Sequence, residues 1–170
     1  MGDVIYSAAG HLLRRVTQIH DRIFDEEFAG RITPRQLALL ITVRRFPDIA
    51  QITLSGAIAV DRSTIAEMVP RLESQGLIER HRSPTDGRRN VLRISSKGEA
   101  LLDGLVSKVT GVSQRLLEPL SEEEQATLLH LLARLATVED PSFPEYRVYA
   151  LRDLESGVSR GDWRAEVEPK

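Results

Sequence analysis

Residues 61–94 read DRSTIAEMVPRLESQGLIERHRSPTDGRRNVLRI, and the fold of the chain turns on this stretch. Asp61 is placed to cap a helix over 62–75, offering its carboxylate to backbone N–H groups that the first turn leaves unsatisfied. At 100° per residue, Ile65, Met68, Val69 and Leu72 share one face of that helix, while Ser63, Glu67, Pro70, Arg71 and Ser74 lie opposite. One face is made to pack, and the other is free to read something. Pro70 deletes a backbone donor and is expected to kink the axis, but it falls on the outward face, where a bend is tolerated. Gly76 ends the helix. Residues 77–82 and 90–94 then read as two short strands around Ser83-Pro84-Thr85-Asp86-Gly87-Arg88-Arg89, whose proline, aspartate and glycine mark a turn.

Working outward, a short helix over 54–60 with Thr53 as its N-cap makes a helix-turn-helix with 62–75, and the hairpin becomes the wing of a winged helix. Upstream, Thr33-Pro34-Arg35-Gln36 reads as a capping box with proline at the first helical position. It opens a core helix through Leu37, Leu40, Ile41 and Val43 that stops before Pro47. A first helix starts near Ser7, with Leu12, Val16, Ile19 and Ile23 along one stripe, and Gly30 ends it. Downstream, Ser96-Lys97-Gly98-Glu99 reads as a capping box before a long helix with Leu102, Leu105, Val109, Val112 and Leu116 at alternating steps of three and four. Ser121-Glu122-Glu123-Glu124 caps a last helix whose Leu128, Leu129, Leu131, Leu132 and Leu135 cover more than one face and are expected to be deeply buried.

The expected architecture is mainly α with a small β-hairpin wing, a winged helix-turn-helix flanked by N- and C-terminal dimerisation helices. Residues 1–32 form the N-terminal helix, part of the dimerisation region, 33–96 the DNA-binding region and 97–138 the C-terminal dimerisation helices. Residues 139–170 form a polar extension that can hold one short helix over 146–154. At 170 residues, with 41% hydrophobic and 28% charged content, the chain is long enough for a core without staples. It has no cysteine, which excludes disulfides, thiolate zinc sites and thiol catalysis. No stretch approaches the roughly 20 apolar residues of a membrane helix and the N-terminus lacks a signal pattern, so the expected location is cytoplasmic, with no membrane partner.

A formal net charge of −2 gives no overall attraction to nucleic acid, so any such binding must come from local asymmetry. Between residues 80 and 93 stand five arginines, at 80, 82, 88, 89 and 93, against the single acid Asp86. The tail from 139 to 170 carries eight acids and five bases.

Asp61-Arg62-Ser63-Thr64, Leu72-Glu73-Ser74-Gln75-Gly76-Leu77-Ile78 and the turn from Ser83 to Arg89 together resemble the MarR family of bacterial regulators, over roughly 7–138. The specific part is the wing pattern of aspartate, one residue, then arginine, followed by an apolar strand and Ser96-Lys97-Gly98. The resemblance implies a homodimer joined through its terminal helices that represses from palindromic operators and is released by small phenolic or aromatic acids. The branch controlling aromatic-compound catabolism is the expected affiliation. Absent cysteine sets the chain apart from the peroxide-sensing branch, and its tail is longer than the family's usual one.

An α-helix fits the major groove and points its N-terminal residues deepest, which makes Arg62, Ser63, Thr64, Glu67 and Arg71 the candidate base and phosphate contacts. In the wing, Arg88 and Arg89 suit the minor groove or phosphates, with Asp86 orienting Arg88. One recognition helix offers too few contacts for specificity, so two copies about 34 Å apart on double-stranded DNA are expected. On the first helix His11, Arg15, Gln18 and Arg22 form a polar row; Arg15 suits a carboxylate and His11 a phenol or carboxylate oxygen. The expected ligand is a small aromatic acid or its coenzyme A thioester. Sequence alone leaves this row open as a solvated flank, and leaves the apolar stripes open as packing within one chain.

An enzyme is not expected: His11, His20, His81 and His130 lack metal-site spacing, no GxSxG or phosphate-cradling glycine loop occurs, and no cofactor is implied. Two other readings are a winged-helix protein-interaction module, which needs an apolar outward helix face, and a DNA-binding protein without an effector.

Overall fold

The computed structural model describes residues 8–83, 87 and 89–136. Along the chain run α1 (Ala9–Phe28), α2 (Pro34–Arg45), β1 (Ile49–Ala50), a 3₁₀ turn (Gln51–Thr53), α3 (Leu54–Ala57), α4 (Arg62–Ser74), β2 (Ile78–Arg82), β3 (Asn90–Ile94), α5 (Ser96–Leu117) and α6 (Glu122–Ala136).

Side-chain oxygens start most of these helices. Thr33 and Gln36 form the reciprocal box, with bonds of 3.2 and 3.0 Å, and Ser121 and Glu124 form another at the head of α6. At α5 the cap sits one residue earlier than the sequence suggests. Ser95 accepts from the Gly98 amide at 3.0 Å and donates to the Gly76 carbonyl at 2.6 Å, so one hydroxyl starts α5 and closes the turn after α4. Gly98 has no side chain to complete a box, and Glu99 instead pairs with Arg44 of α2 at 2.9 Å. Glycine is needed at 98 because a Cβ there would collide with the Leu77 carbonyl and lie 2.7 Å from the Ile94 Cγ1.

The short helix also departs from expectation. Thr53 makes no cap and belongs to the 3₁₀ turn, and α3 ends at Ala57 because Ala59 takes a left-handed φ of 51° that turns the chain toward α4. Past Pro70, which is exposed, α4 continues to Ser74. The sheet is antiparallel in the order β1-β3-β2, with Ile78 opposite Ile94 and Arg82 opposite Asn90. Its edge strand β1, pairing Ile49 with Leu92, is too short for any alternation to announce it.

Leu39, Leu40 and Val43 of α2, Leu54 of α3, Val69 and Leu72 of α4, and Leu92 of β3 form the centre of the core. Ile41 of α2, expected inside, is exposed, and Leu39 fills the core in its place. The α5 stripe packs within its own chain, with Leu102, Leu105 and Val112 buried and Val109 and Leu116 against them. Against α5 lies the C-terminal half of α1. Phe24 and Phe28 stack at 4.1 Å, Lys108 donates to the Glu27 carbonyl at 2.6 Å, and Arg115 pairs with Glu26 and Glu27 at 2.6 and 2.9 Å.

The outer ends of the terminal helices differ. Of the α1 stripe only Ile23 is buried, while Leu12 is 50% exposed and Val16 and Ile19 are open as well. In α6 the expected deep burial does not occur: Leu128, Leu129 and Leu132 are half-buried, and Leu131 and Leu135 are exposed, Leu135 by 67%. Nothing in a single chain covers these positions among the described residues. The tail and its short helix over 146–154 lie outside the described residues. No helix among the described residues is long and apolar enough to cross a membrane.

Candidate nucleic-acid interface

The head of α4 is built by Asp61. Its carboxylate accepts from the Thr64 amide at 2.9 Å, from the Thr64 hydroxyl at 2.7 Å and from the Ser63 hydroxyl. The Ser63 hydroxyl first, then the hydroxyl and amide of Thr64, hold the Asp61 carboxyl well below the usual carboxylate range. It therefore stays charged. Ser63 and Thr64, expected from sequence to contact bases or phosphates, already donate their hydroxyl protons to Asp61; toward a partner they present oxygen lone pairs, which suit base amino groups better than phosphates.

Beyond that cap the outward face is open. Arg62, Glu67 and Arg71 are exposed, and their side chains make no hydrogen bond or ion pair among the described residues. The opposite face, Ile65, Met68, Val69 and Leu72, is buried. Fixed on one side and bare on the other, α4 can place two guanidinium groups and a carboxylate in a groove without first breaking internal bonds.

The hairpin extends beyond its ladder by a bond from the Ser83 amide to the Arg89 carbonyl at 2.9 Å, with Ser83 buried and Arg89 exposed. Asp86 and Arg88 lie outside the described residues. Within the run of arginines that concentrates positive charge in this segment, Arg80 and Arg93 are held by acids of the same chain. Arg80 pairs with Glu73 of α4 at 2.6 Å, and Arg93 grips Asp48 with two bonds of 2.6 Å each. Each partner fixes the other's charge: the Arg93 guanidinium holds the Asp48 carboxyl below its ordinary range, and Asp48 raises Arg93. Glu73 and Asp48 are distant acids that a local count of charges misses. Arg82 is exposed with no ion-pair partner among the described residues, and its place in the basic run was the signal for it.

His11 and Arg15 lie one turn apart in the half of α1 that carries no buried residue, His11 half-buried and Arg15 exposed. A groove of about 440 Å³ lies elsewhere, along α6, lined by Leu120, Glu123, Glu124, Thr127, Leu128 and Leu131.

Comparison with known proteins agrees with this geometry. The sequence profile of the MarR family matches residues 32–89, from the end of the α1–α2 turn to the residue before β3. The transcriptional repressor NicR of Pseudomonas putida is 31% identical over 127 residues, which span 74% of this chain and 80% of that one. Among solved structures, the PcaV regulator of Streptomyces coelicolor in complex with its natural ligand superposes with a TM-score of 0.73 at 34% identity, covering 79% of this chain and 95% of that one. A mutant of the MarR regulator of Escherichia coli complexed with operator DNA gives a TM-score of 0.69 at 30% identity, covering 74% and 91%.

Proposed function

Because the chain belongs to the MarR family of DNA-binding transcriptional regulators, we propose that it is a homodimeric repressor released from a palindromic operator by a small aromatic acid or its coenzyme A thioester. The observation that carries this reading is the outward face of α4, where Arg62, Glu67 and Arg71 stand exposed and, among the described residues, unpartnered over a buried apolar face. Arg62 and Arg71 meet guanine edges or phosphates, Glu67 accepts from a cytosine amine, and Ser63 and Thr64 accept from base amino groups. Arg88 and Arg89 enter the adjoining minor groove or grip the phosphates beside it, with Asp86 steering Arg88.

In this reading 33–96 is the DNA-binding region, and 1–32 with 97–138 join two copies. The exposed rows Leu12, Val16 and Ile19 on α1 and Leu131 and Leu135 on α6 support that seam, since contiguous apolar rows of this kind are costly to leave in water. Arg15 holds the effector's carboxylate and His11 its second oxygen, in a site completed by the second copy. That the similar PcaV regulator was solved with its natural ligand supports a small-molecule effector.

A protection assay on DNA flanking the chain's own gene tests both halves. The expected result is a symmetric footprint over two half-sites about 34 Å apart, abolished by benzoate-class acids or their thioesters. Absence of any footprint removes the operator; a footprint indifferent to all such compounds leaves a DNA-binding protein without an effector.

A further inference from the structure

A recognition helix and a wing can seat in successive grooves only if the angle between them is fixed, and a side-chain ion pair joins the two elements in the structure. Arg80 shares the core-facing side of β2 with Ile78 two residues before it, so its side chain leans toward α4 and not away from the sheet. Its Nη2 donates to the Glu73 Oε2 in the last turn of α4 at 2.6 Å, with the two side chains 35% and 34% exposed. Among the described residues this is the one side-chain hydrogen bond between α4 and β2. The backbone turn between them is already tight: the Leu77 amide reaches the Leu72 carbonyl at 2.9 Å, and Lys97 holds the Gln75 carbonyl at 2.7 Å. Ile78 and Leu92 anchor the base of the hairpin in the core and β1 pairs with β3, and the Arg80–Glu73 bond adds a tie from the middle of β2 to the last turn of α4.

We propose that Glu73 and Arg80 are positioning residues for DNA recognition, a brace that sets the hairpin at the angle from α4 at which both meet one operator half-site. The proposal rests on the DNA-binding reading above and deepens it: Arg80, in the basic run, acts through Glu73 and not on a phosphate.

The two roles predict opposite signs for one variant. Glu73→Gln removes a negative charge from the DNA-binding lobe and releases a guanidinium. If Arg80 were a phosphate ligand in waiting, affinity for every duplex would rise and its salt dependence would steepen. A brace predicts that affinity for random duplex holds or rises while affinity for a duplex selected from a random pool by the wild-type protein falls, lowering the ratio on the order of tenfold, the scale of one lost base contact. The charge-swapped double variant, Glu73→Arg with Arg80→Glu, keeps the net charge and is expected to restore most of the ratio. A partly exposed pair contributes little to stability, so the thermal midpoint is expected to stay near wild type in both. Binding would be measured by fluorescence anisotropy at several salt concentrations. Tighter binding of both duplexes by Glu73→Gln, or further loss in the swapped variant, overturns the brace; the swapped variant decides this even if Glu73→Gln proves less stable. A wild-type protein that selects no duplex at all defeats the DNA-binding reading instead.

Discussion

Two helices of this protein carry nearly the same apolar stripe and meet opposite environments. In α4, Ile65, Met68, Val69 and Leu72 are all buried; in α1, Leu12, Val16 and Ile19 are exposed and only Ile23 is covered. The spacing is that of one helical face in both cases, so periodicity alone cannot distinguish them. What differs is the cover. α4 lies among α3, β2 and the core residues of α2, all supplied by its own chain, whereas Leu12, Val16 and Ile19 of α1 are left exposed among the described residues. A stripe thus names the face that must be covered, and the identity of the cover is a separate fact.

Truncating the covered stripe is expected to have the largest effect. Leu72→Ala should cost about 2–5 kcal/mol in urea unfolding, independent of protein concentration, because it opens a cavity in a closed core. The uncovered stripe should respond in the opposite way. Val16→Asp should leave the stability of the separated chain almost unchanged but halve the particle mass in sedimentation, since it places a charge in the proposed seam between copies. Were that variant to remain dimeric, the outer half of α1 would not be the seam.

The proposed DNA contacts divide along a similar line, between those expected to read sequence and those expected to hold the backbone. Arg62→Ala is expected to cost about 1–3 kcal/mol of operator binding and to relax the preference at the base pair it touches. Arg88→Ala should weaken all duplexes alike and reduce the salt slope by about 1. Titrations of operator and random duplex over a range of salt distinguish these outcomes, and unchanged affinity and salt dependence in both variants would remove the two residues from the interface.

Local chemistry was legible in the sequence, and long-range pairing was not. Thr33, Asp61 and Ser121 announced their helices because a cap is a contact within four residues, and Gly76 with the turn residues announced the hairpin. Ser95 was missed by one position because its decisive partner, the Gly76 carbonyl, is nineteen residues away in sequence. The commitment of Arg80 and Arg93 was missed for the same reason: Asp48 lies forty-five residues from Arg93 and is brought to it by the pairing of β1 with β3. Counting charge within a window overstated the field of the wing.

Two glycines of α5 carry the distinction between covered and open surface to the scale of a single methyl group. Gly98→Ala should destabilise by about 1–3 kcal/mol, because its Cβ meets the Leu77 carbonyl and the sheet. At Gly111 a Cβ meets nothing within 4 Å, so Gly111→Ala should stabilise by about 0.5–1 kcal/mol through the helix preference of alanine. Thermal unfolding of both variants checks the signs; a loss at position 111 that grows with protein concentration would mean that a second copy closes on that side of α5.

A matched pair of cap deletions tests the contrast most closely, because it holds the local chemistry constant. Thr33→Ala and Ser121→Ala each delete a box cap, and each should cost about 1 kcal/mol of helix stability. Thr33 starts α2, which places Leu39, Leu40 and Val43 in the core, so that loss should appear in the global unfolding midpoint. Ser121 starts α6, whose Leu131 and Leu135 stand in solvent, so its loss should appear as faster amide exchange in the first turn of α6, with a smaller change in the midpoint. If a second copy clamps α6, raising the protein concentration should restore protection there and leave α2 untouched. Equal shifts of the global midpoint by both variants at every concentration would place α6 in the same cooperative unit as the DNA-binding lobe, and the division between a self-covered region and a partner-covered one would then have no energetic content.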